Sequence, residues 1–156
     1  MADCSNLCED PRIHQFGVAL EAMGRVTRVL AHSLKEASGL SMSEFEGLLR
    51  VERSGGYVAM GELASQLTLT SGGVTRLIDR LASMGLMERK PCSDDRRVQW
   101  AVITDEGRAR LHAAVAPHLE DLSAEWVGRM TAEELAIVTE VMDRLRDPVL
   151  EPEPVA

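Results

Sequence analysis

The sequence predicts a mainly α-helical fold carrying one two-stranded β hairpin. Three observations predict it. Aromatic residues make up only 3% of a chain that is 45% apolar, so Leu, Val, Ile, Met and Ala must fill the core, and these favour helices over sheets. Apolar residues recur at helical spacing through most of the chain. Residues 86–90 and the more apolar 98–103 read as two short strands flanking a polar turn. A length of 156 residues suffices for one domain with a real core.

The first helix is expected from about Ile13 to Lys35. Phe16, Leu20, Met23, Thr27, Leu30 and Leu34 are spaced by four and three residues alternately, which aligns them in one stripe. So long a stripe in so small a chain suits a seam shared with a second subunit. Gly39 is a helix stop. Ser41-Met42-Ser43-Glu44 reads as a capping box opening a second helix with Phe45, Leu48, Leu49 and Val51 as its apolar residues, and Ser54-Gly55-Gly56 ends it.

Met60, Leu63, Ala64 and Leu67 fit a short third helix, followed by a turn at Thr68-Leu69-Thr70. Thr70 can cap a fourth helix starting near Ser71, whose Val74, Leu77, Ile78 and Leu81 repeat at i, i+3, i+4 and i+7. The opposite face holds Ser71, Gly73, Thr75, Arg76, Asp79 and Arg80. Small and hydroxylated residues at a helix start let the backbone approach a DNA groove, and the arginines behind them can meet phosphates and base edges. Two short helices joined by a tight turn, the second polar outside, form a helix-turn-helix.

Gly85 closes the fourth helix. Residues 86–90 and 98–103 then read as the hairpin strands, with Pro91 to Arg97 as the turn between them. Thr104 caps a fifth helix bearing Leu111, Ala114, Val115, Leu119, Leu122 and Trp126, in which Pro117 predicts a kink or break. Thr131-Ala132-Glu133-Glu134 is another capping box, and it opens a last helix with Leu135, Val138, Met142 and Leu145 on one face.

The net charge of −8 is unevenly spread. Residues 71–97 carry six Lys/Arg against four Asp/Glu, whereas 98–156 carry five against twelve. A local basic face can attract phosphates while the remainder stays acidic.

With these elements placed, the chain resembles the multiple-antibiotic-resistance regulator family, MarR. Asp95-Arg96-Arg97 followed, after the strand, by Ile103-Thr104-Asp105-Glu106-Gly107 is similar to the family's D-x-R wing and L-T-x-x-G, with Ile103 in place of the usual Leu. Residues 74–81 resemble its recognition helix, and Gly61-Glu62-Leu63-Ala64 the helix before it. The motifs cover roughly residues 58–108, and the flanking helices extend the likeness more weakly over about 11–147.

The resemblance implies a winged helix-turn-helix lobe at 41–104, dimerisation helices at 1–40 and 105–147, and an acidic tail at 148–156. It implies a homodimer bound to a pseudo-palindromic double-stranded DNA operator. Ser71, Gly73, Thr75, Arg76 and Arg80 would then meet the major groove and phosphates. Arg97 would enter the minor groove, held by Asp95, with Arg96 at the phosphates beside it. It implies a regulator, most often a repressor, whose DNA affinity responds to a small anionic or aromatic ligand. By position, His32, Phe45, Leu49 and Leu111 are the candidate lining residues.

Other functions fare worse. A phosphate-binding glycine loop, a nucleophile–base arrangement and a metal constellation are all missing from the sequence, so neither catalysis nor a cofactor is expected. His112 and His118, six residues apart, are poorly phased to share an ion. Cys4, Cys8 and Cys92 are an odd count with no export signal, which argues against a disulfide framework. They leave a thiol-based redox sensor as an alternative, with Cys92 near Arg89, Lys90 and Arg96. A protein-binding winged helix would need apolar residues outside the fourth helix, and those residues are polar and basic. No apolar run approaches the roughly 18 residues that span a bilayer, and the N-terminus lacks an apolar signal segment, so a cytoplasmic protein is expected.

Overall fold

The computed structural model describes residues 9–67, 69–92 and 98–146. Six α-helices and three strands follow in the order α1 (Pro11–Ser38), α2 (Met42–Arg53), β1 (Tyr57–Ala59), α3 (Met60–Gln66), α4 (Ser71–Ser83), β2 (Met87–Pro91), β3 (Gln99–Ile103), α5 (Asp105–Glu125) and α6 (Ala132–Arg146). A single 3-10 turn, Val127–Arg129, links the last two helices.

Local capping sets most of the boundaries. Asp10 accepts the Arg12 backbone N–H at 2.8 Å to open α1, with Pro11 in its first turn. Gly39 closes α1 at φ 73°, a left-handed conformation that side chains with a Cβ resist. The Ser41–Glu44 capping box forms in both directions, at 3.4 and 2.7 Å. Thr131 and Glu134 make the same reciprocal pair at 2.8 and 3.2 Å.

The sheet differs from the expected two-stranded hairpin. β1 adds a third antiparallel strand, giving the order β1-β3-β2, with Val58 opposite Ala101 and Arg89 opposite Ala101 on the other side. At three residues β1 is too short to reveal an alternation in sequence, and its pairing lies more than 40 residues away in the chain. α5 also departs from expectation, because it runs unbroken through Pro117. Leu111 and Ala114 are buried before the proline and His118 after it. Packing on both sides offsets the one hydrogen bond that the missing N–H removes.

One core joins the winged lobe to the long helices. It includes Leu34 and Leu40, α2's Phe45, Leu48 and Val51, α3's Leu63 and Ala64, α4's Val74, Leu77, Ile78 and Leu81, Leu86, the strand residues Val58, Met87, Ala101 and Ile103, and α5's Leu111 and Ala114. α1 lies along α5, tied by Ser33 Oγ to Asp121 at 2.5 Å, Arg25 to Glu125 at 2.9 Å and Arg110 to the Ser38 carbonyl at 3.3 Å.

The α1 stripe is split by burial. Leu30 and Leu34 are buried, while Ile13, Phe16, Leu20 and Met23 are exposed. α6 buries none of its residues and exposes Ile137, Met142 and Leu145. No helix among the described residues is long and apolar enough to cross a membrane.

Candidate nucleic-acid interface

α4 is the centre of the candidate site. Its amphipathic sequence puts Val74, Leu77, Ile78 and Leu81 inside and leaves Ser71, Gly72, Thr75, Arg76, Asp79 and Arg80 exposed, with Gly73 half-buried. Thr70 caps it, its Oγ1 accepting the Gly73 N–H at 3.1 Å. The first turn contains no acidic residue, so the partial positive charge of the helix start is not neutralised there.

Arg76 makes no ion pair with any described residue and lines a shallow groove with Ser43, Leu69, Gly73, Leu77 and Arg80. Arg80 lies 3.5 Å from Glu44, which is buried at 3% exposure. Burial pushes the Glu44 carboxyl up. Hydrogen bonds from the Ser41 backbone and hydroxyl, with the charges of Lys35 and Arg80, outweigh that and hold it below the usual range. The Glu44 carboxylate therefore orients Arg80 from beneath while most of the Arg80 side chain stays in solvent.

The hairpin is anchored beside α4. Thr104 N–H donates to the Leu86 carbonyl at 3.1 Å and Thr104 Oγ1 to the Gly85 carbonyl at 2.8 Å. The same Oγ1 caps α5 by accepting the Gly107 N–H at 2.9 Å. Gly107 is required by close approach, since a Cβ there would lie 2.0 Å from the Leu86 carbonyl oxygen. The segment from Ile103 to Gly107 is thus the joint between α4's end, the hairpin and α5. A groove of about 460 Å³ runs between α3, α4 and the hairpin, lined by Met60, Gly61, Ser71, Thr75, Arg89 and Gln99 among others.

Ser71, Gly73, Thr75, Arg76 and Arg80 therefore lie together on one helix beside the hairpin. The expected tip residues Asp95, Arg96 and Arg97 lie outside the described residues, as do Cys4 and Cys8. Arg89 was not expected at the site, yet it reaches across from β2 to Thr75 and Asp79. Its signal in sequence is an arginine at an inward register position of a strand.

Of the candidate ligand residues, Phe45, Leu49 and Leu111 meet in one core and His32 lies apart. Phe45 and Leu111 are closed into the core, Leu49 packs against it half-buried, and His32 is exposed beside Glu36 at 3.4 Å. The open depression that His32 lines is formed with Arg28, Val29, Ser33 and Glu36 and reaches none of the other three. His118 is buried against Phe45, ring centroids 4.8 Å apart, with its Nδ1 unpartnered. Burial pulls its pKa down, partly offset by Asp121 and Glu46. His112 is exposed, 4.0 Å from Glu52. Among the described residues no three His, Cys, Asp or Glu are grouped to hold a metal ion.

The model of the MarR family matches residues 40–98, which hold α2, β1, α3, α4 and β2. The HTH-type transcriptional regulator MhqR of Bacillus subtilis is 29% identical over 107 residues, covering 69% of this chain and 72% of that protein. Over these residues the chain is similar to the MarR family. Solved structures of MarR regulators share its fold over nearly the whole length. Sco3205 of Streptomyces coelicolor, in complex with DNA, superposes with a TM-score of 0.86 at 22% identity over 94% of this chain and 96% of that one. A mutant MarR from E. coli complexed with operator DNA gives 0.79 at 24%, over 88% and 96%. By fold, α4 corresponds to the second helix of a helix-turn-helix and the β2–β3 hairpin to its wing.

Proposed function

We propose that this chain is a homodimeric, sequence-specific double-stranded-DNA-binding repressor of the cytoplasm, acting at a pseudo-palindromic operator. The observation that carries the proposal is the outer face of α4. An exposed row of Ser71, Thr75, Arg76 and Arg80 stands over a fully buried row, with a hairpin fixed alongside. Residues of this kind at a helix start suit the major groove. Sco3205 and the E. coli MarR mutant, similar in fold, were solved with DNA, and that supports the same use of α4 here. Asp95, Arg96 and Arg97 would supply the minor-groove and phosphate contacts at the wing tip.

The dimer half of the proposal rests on apolar surface. Ile13, Phe16 and Leu20 on α1 and Ile137 and Leu145 on α6 are each more than half exposed, a pattern a lone soluble subunit does not favour. In this reading residues 1–40 and 105–147 form the dimer, 41–104 bind DNA, and 148–156 are an acidic tail. A second copy would set the two recognition helices about one helical turn of DNA apart.

A small anionic or aromatic ligand would act by preferring one spacing of the two lobes. Arg28 and His32, which line the depression on α1, would meet the charge of such an anion. The test is to select duplexes from a random-sequence pool with the full chain and titrate the winners with and without benzoate and related aromatic acids. Enrichment of a two-fold-related sequence supports the proposal. A pool that stays random contradicts it.

A further inference from the structure

Arg89 occupies an unusual place for a charged residue. Along β2, Met87 pairs with Ile103 and Arg89 with Ala101. Met87, Ala101 and Ile103 are all buried, so the strand alternation puts Arg89 on the core-facing side, toward α4. Its side chain leaves the core edge and crosses to the recognition helix. There Nη2 donates to the Thr75 carbonyl oxygen at 2.9 Å and lies 2.6 Å from Asp79 Oδ1. Thr75 and Asp79 are one helical turn apart, so a single planar guanidinium bridges one turn of α4 and fixes distance and orientation together.

Asp79 is otherwise out of place. It is an exposed acid on the face that carries Arg76 and Arg80, where a negative charge opposes DNA. A pair this exposed adds little to folding stability. We propose that Asp79 and Arg89 are positioning residues that clamp the wing to the recognition helix, so that helix and hairpin tip engage the duplex in a fixed relation. Arg89 lies in β2, two residues before the strand ends at Pro91, so the clamp acts on the strand that leads into the hairpin turn.

The proposal rests on the DNA-binding reading above and makes an electrostatically counter-intuitive demand. Removing the acid Asp79 weakens DNA binding. Full-length wild type, Asp79→Ala, Arg89→Ala and the double variant are compared on a duplex selected by wild type. Each single variant is expected to bind about tenfold more weakly, with the double no weaker than either single, as for two side chains that share one contact. Asp79→Ala should keep the wild-type salt slope and melting temperature. It should lose the minor-groove protections of a hydroxyl-radical footprint while keeping the major-groove protections against methylation.

Asp79→Ala binding as tightly as wild type, or tighter, overturns the clamp. So does an Arg89→Ala loss accompanied by a salt slope lower by about one, which marks a direct phosphate contact. Multiplicative losses in the double variant, or loss of both sets of protections in step with a lowered melting temperature, also overturn it. If wild type selects no duplex, the DNA-binding reading itself has failed, an outcome distinct from wild type binding normally while Asp79→Ala is unaffected.

Discussion

Gly107→Ala tests the joint that holds the wing to the rest of the chain. A Cβ at this position would lie 2.0 Å from the Leu86 carbonyl oxygen, 2.9 Å from its carbon and 3.0 Å from Ile103 Cγ1. Carbon and oxygen tolerate about 3.3 Å, so Leu86 must retreat by more than about 1 Å. It cannot do so freely. Its carbonyl accepts the Thr104 N–H at 3.1 Å, and its side chain is only 1% exposed.

Losing that buried hydrogen bond costs about 1–3 kcal/mol, and overpacking adds about 1–3 kcal/mol. A destabilisation of about 2–6 kcal/mol is expected, against a total of about 5–15 kcal/mol for a typical domain. With a urea slope of about 2 kcal/mol/M, the unfolding midpoint should fall by about 1–3 M. The assay is urea denaturation followed by far-ultraviolet circular dichroism at one fixed protein concentration, because association shifts apparent stability. Gly72→Ala is the control, since a Cβ there meets nothing within 4 Å. A Gly107→Ala midpoint within about 0.3 M of wild type would refute the close-packing argument.

Three other perturbations probe different parts of the molecule. Thr70→Ala removes the cap on Gly73 N–H and should cost about 1 kcal/mol of stability, read in the same urea experiment. Arg76→Ala should leave stability within about 0.5 kcal/mol of wild type. It should nonetheless weaken duplex binding and lower the salt slope by about one, as measured by fluorescence anisotropy across salt concentrations. His118 is held neutral by burial, its folded pKa below the ordinary 6.5. The unfolded chain therefore takes up the proton first, and the stability is full above pH 6.5 and is lost as pH falls through the folded value. His118→Leu should flatten the stability profile on the acid side of pH 6.5, and an unchanged slope there counts against the burial argument.

What could be read from sequence divides by range. The caps at Ser41, Thr70, Thr104 and Thr131 were legible because each is made within three residues. The buried row of α4 was legible because one helix face carries its whole periodicity. β1 was not, because three residues hold no pattern and the strand exists only through its pairing with β3. The Pro117 break was overruled by packing that local rules do not see.

At the site, Ser71, Thr75, Arg76 and Arg80 could be placed on one face from spacing alone. Arg89 could not, because its reach to Thr75 and Asp79 depends on how β2 lies across α4. Phe45 and Leu111 show the converse, since an apolar residue chosen by position as a ligand contact is equally suited to the chain's own core, where both reside. The α1 stripe was visible as a whole. Which half the chain covers by itself, Leu30 and Leu34, emerged only from the fold.

The central claim is that two copies of α4's outer face, held in fixed relation by α1 and α6, read one duplex. Phe16→Glu measures it most directly, because Phe16 is 69% exposed and remote from α4 in the sequence. Its binding to a wild-type-selected duplex is followed together with its mass by analytical ultracentrifugation. The account predicts a folded single subunit whose duplex affinity has fallen at least about 100-fold, since linked sites lose their avidity when separated. A Phe16→Glu protein that remains dimeric, or that separates into single subunits and still binds at wild-type strength, contradicts it.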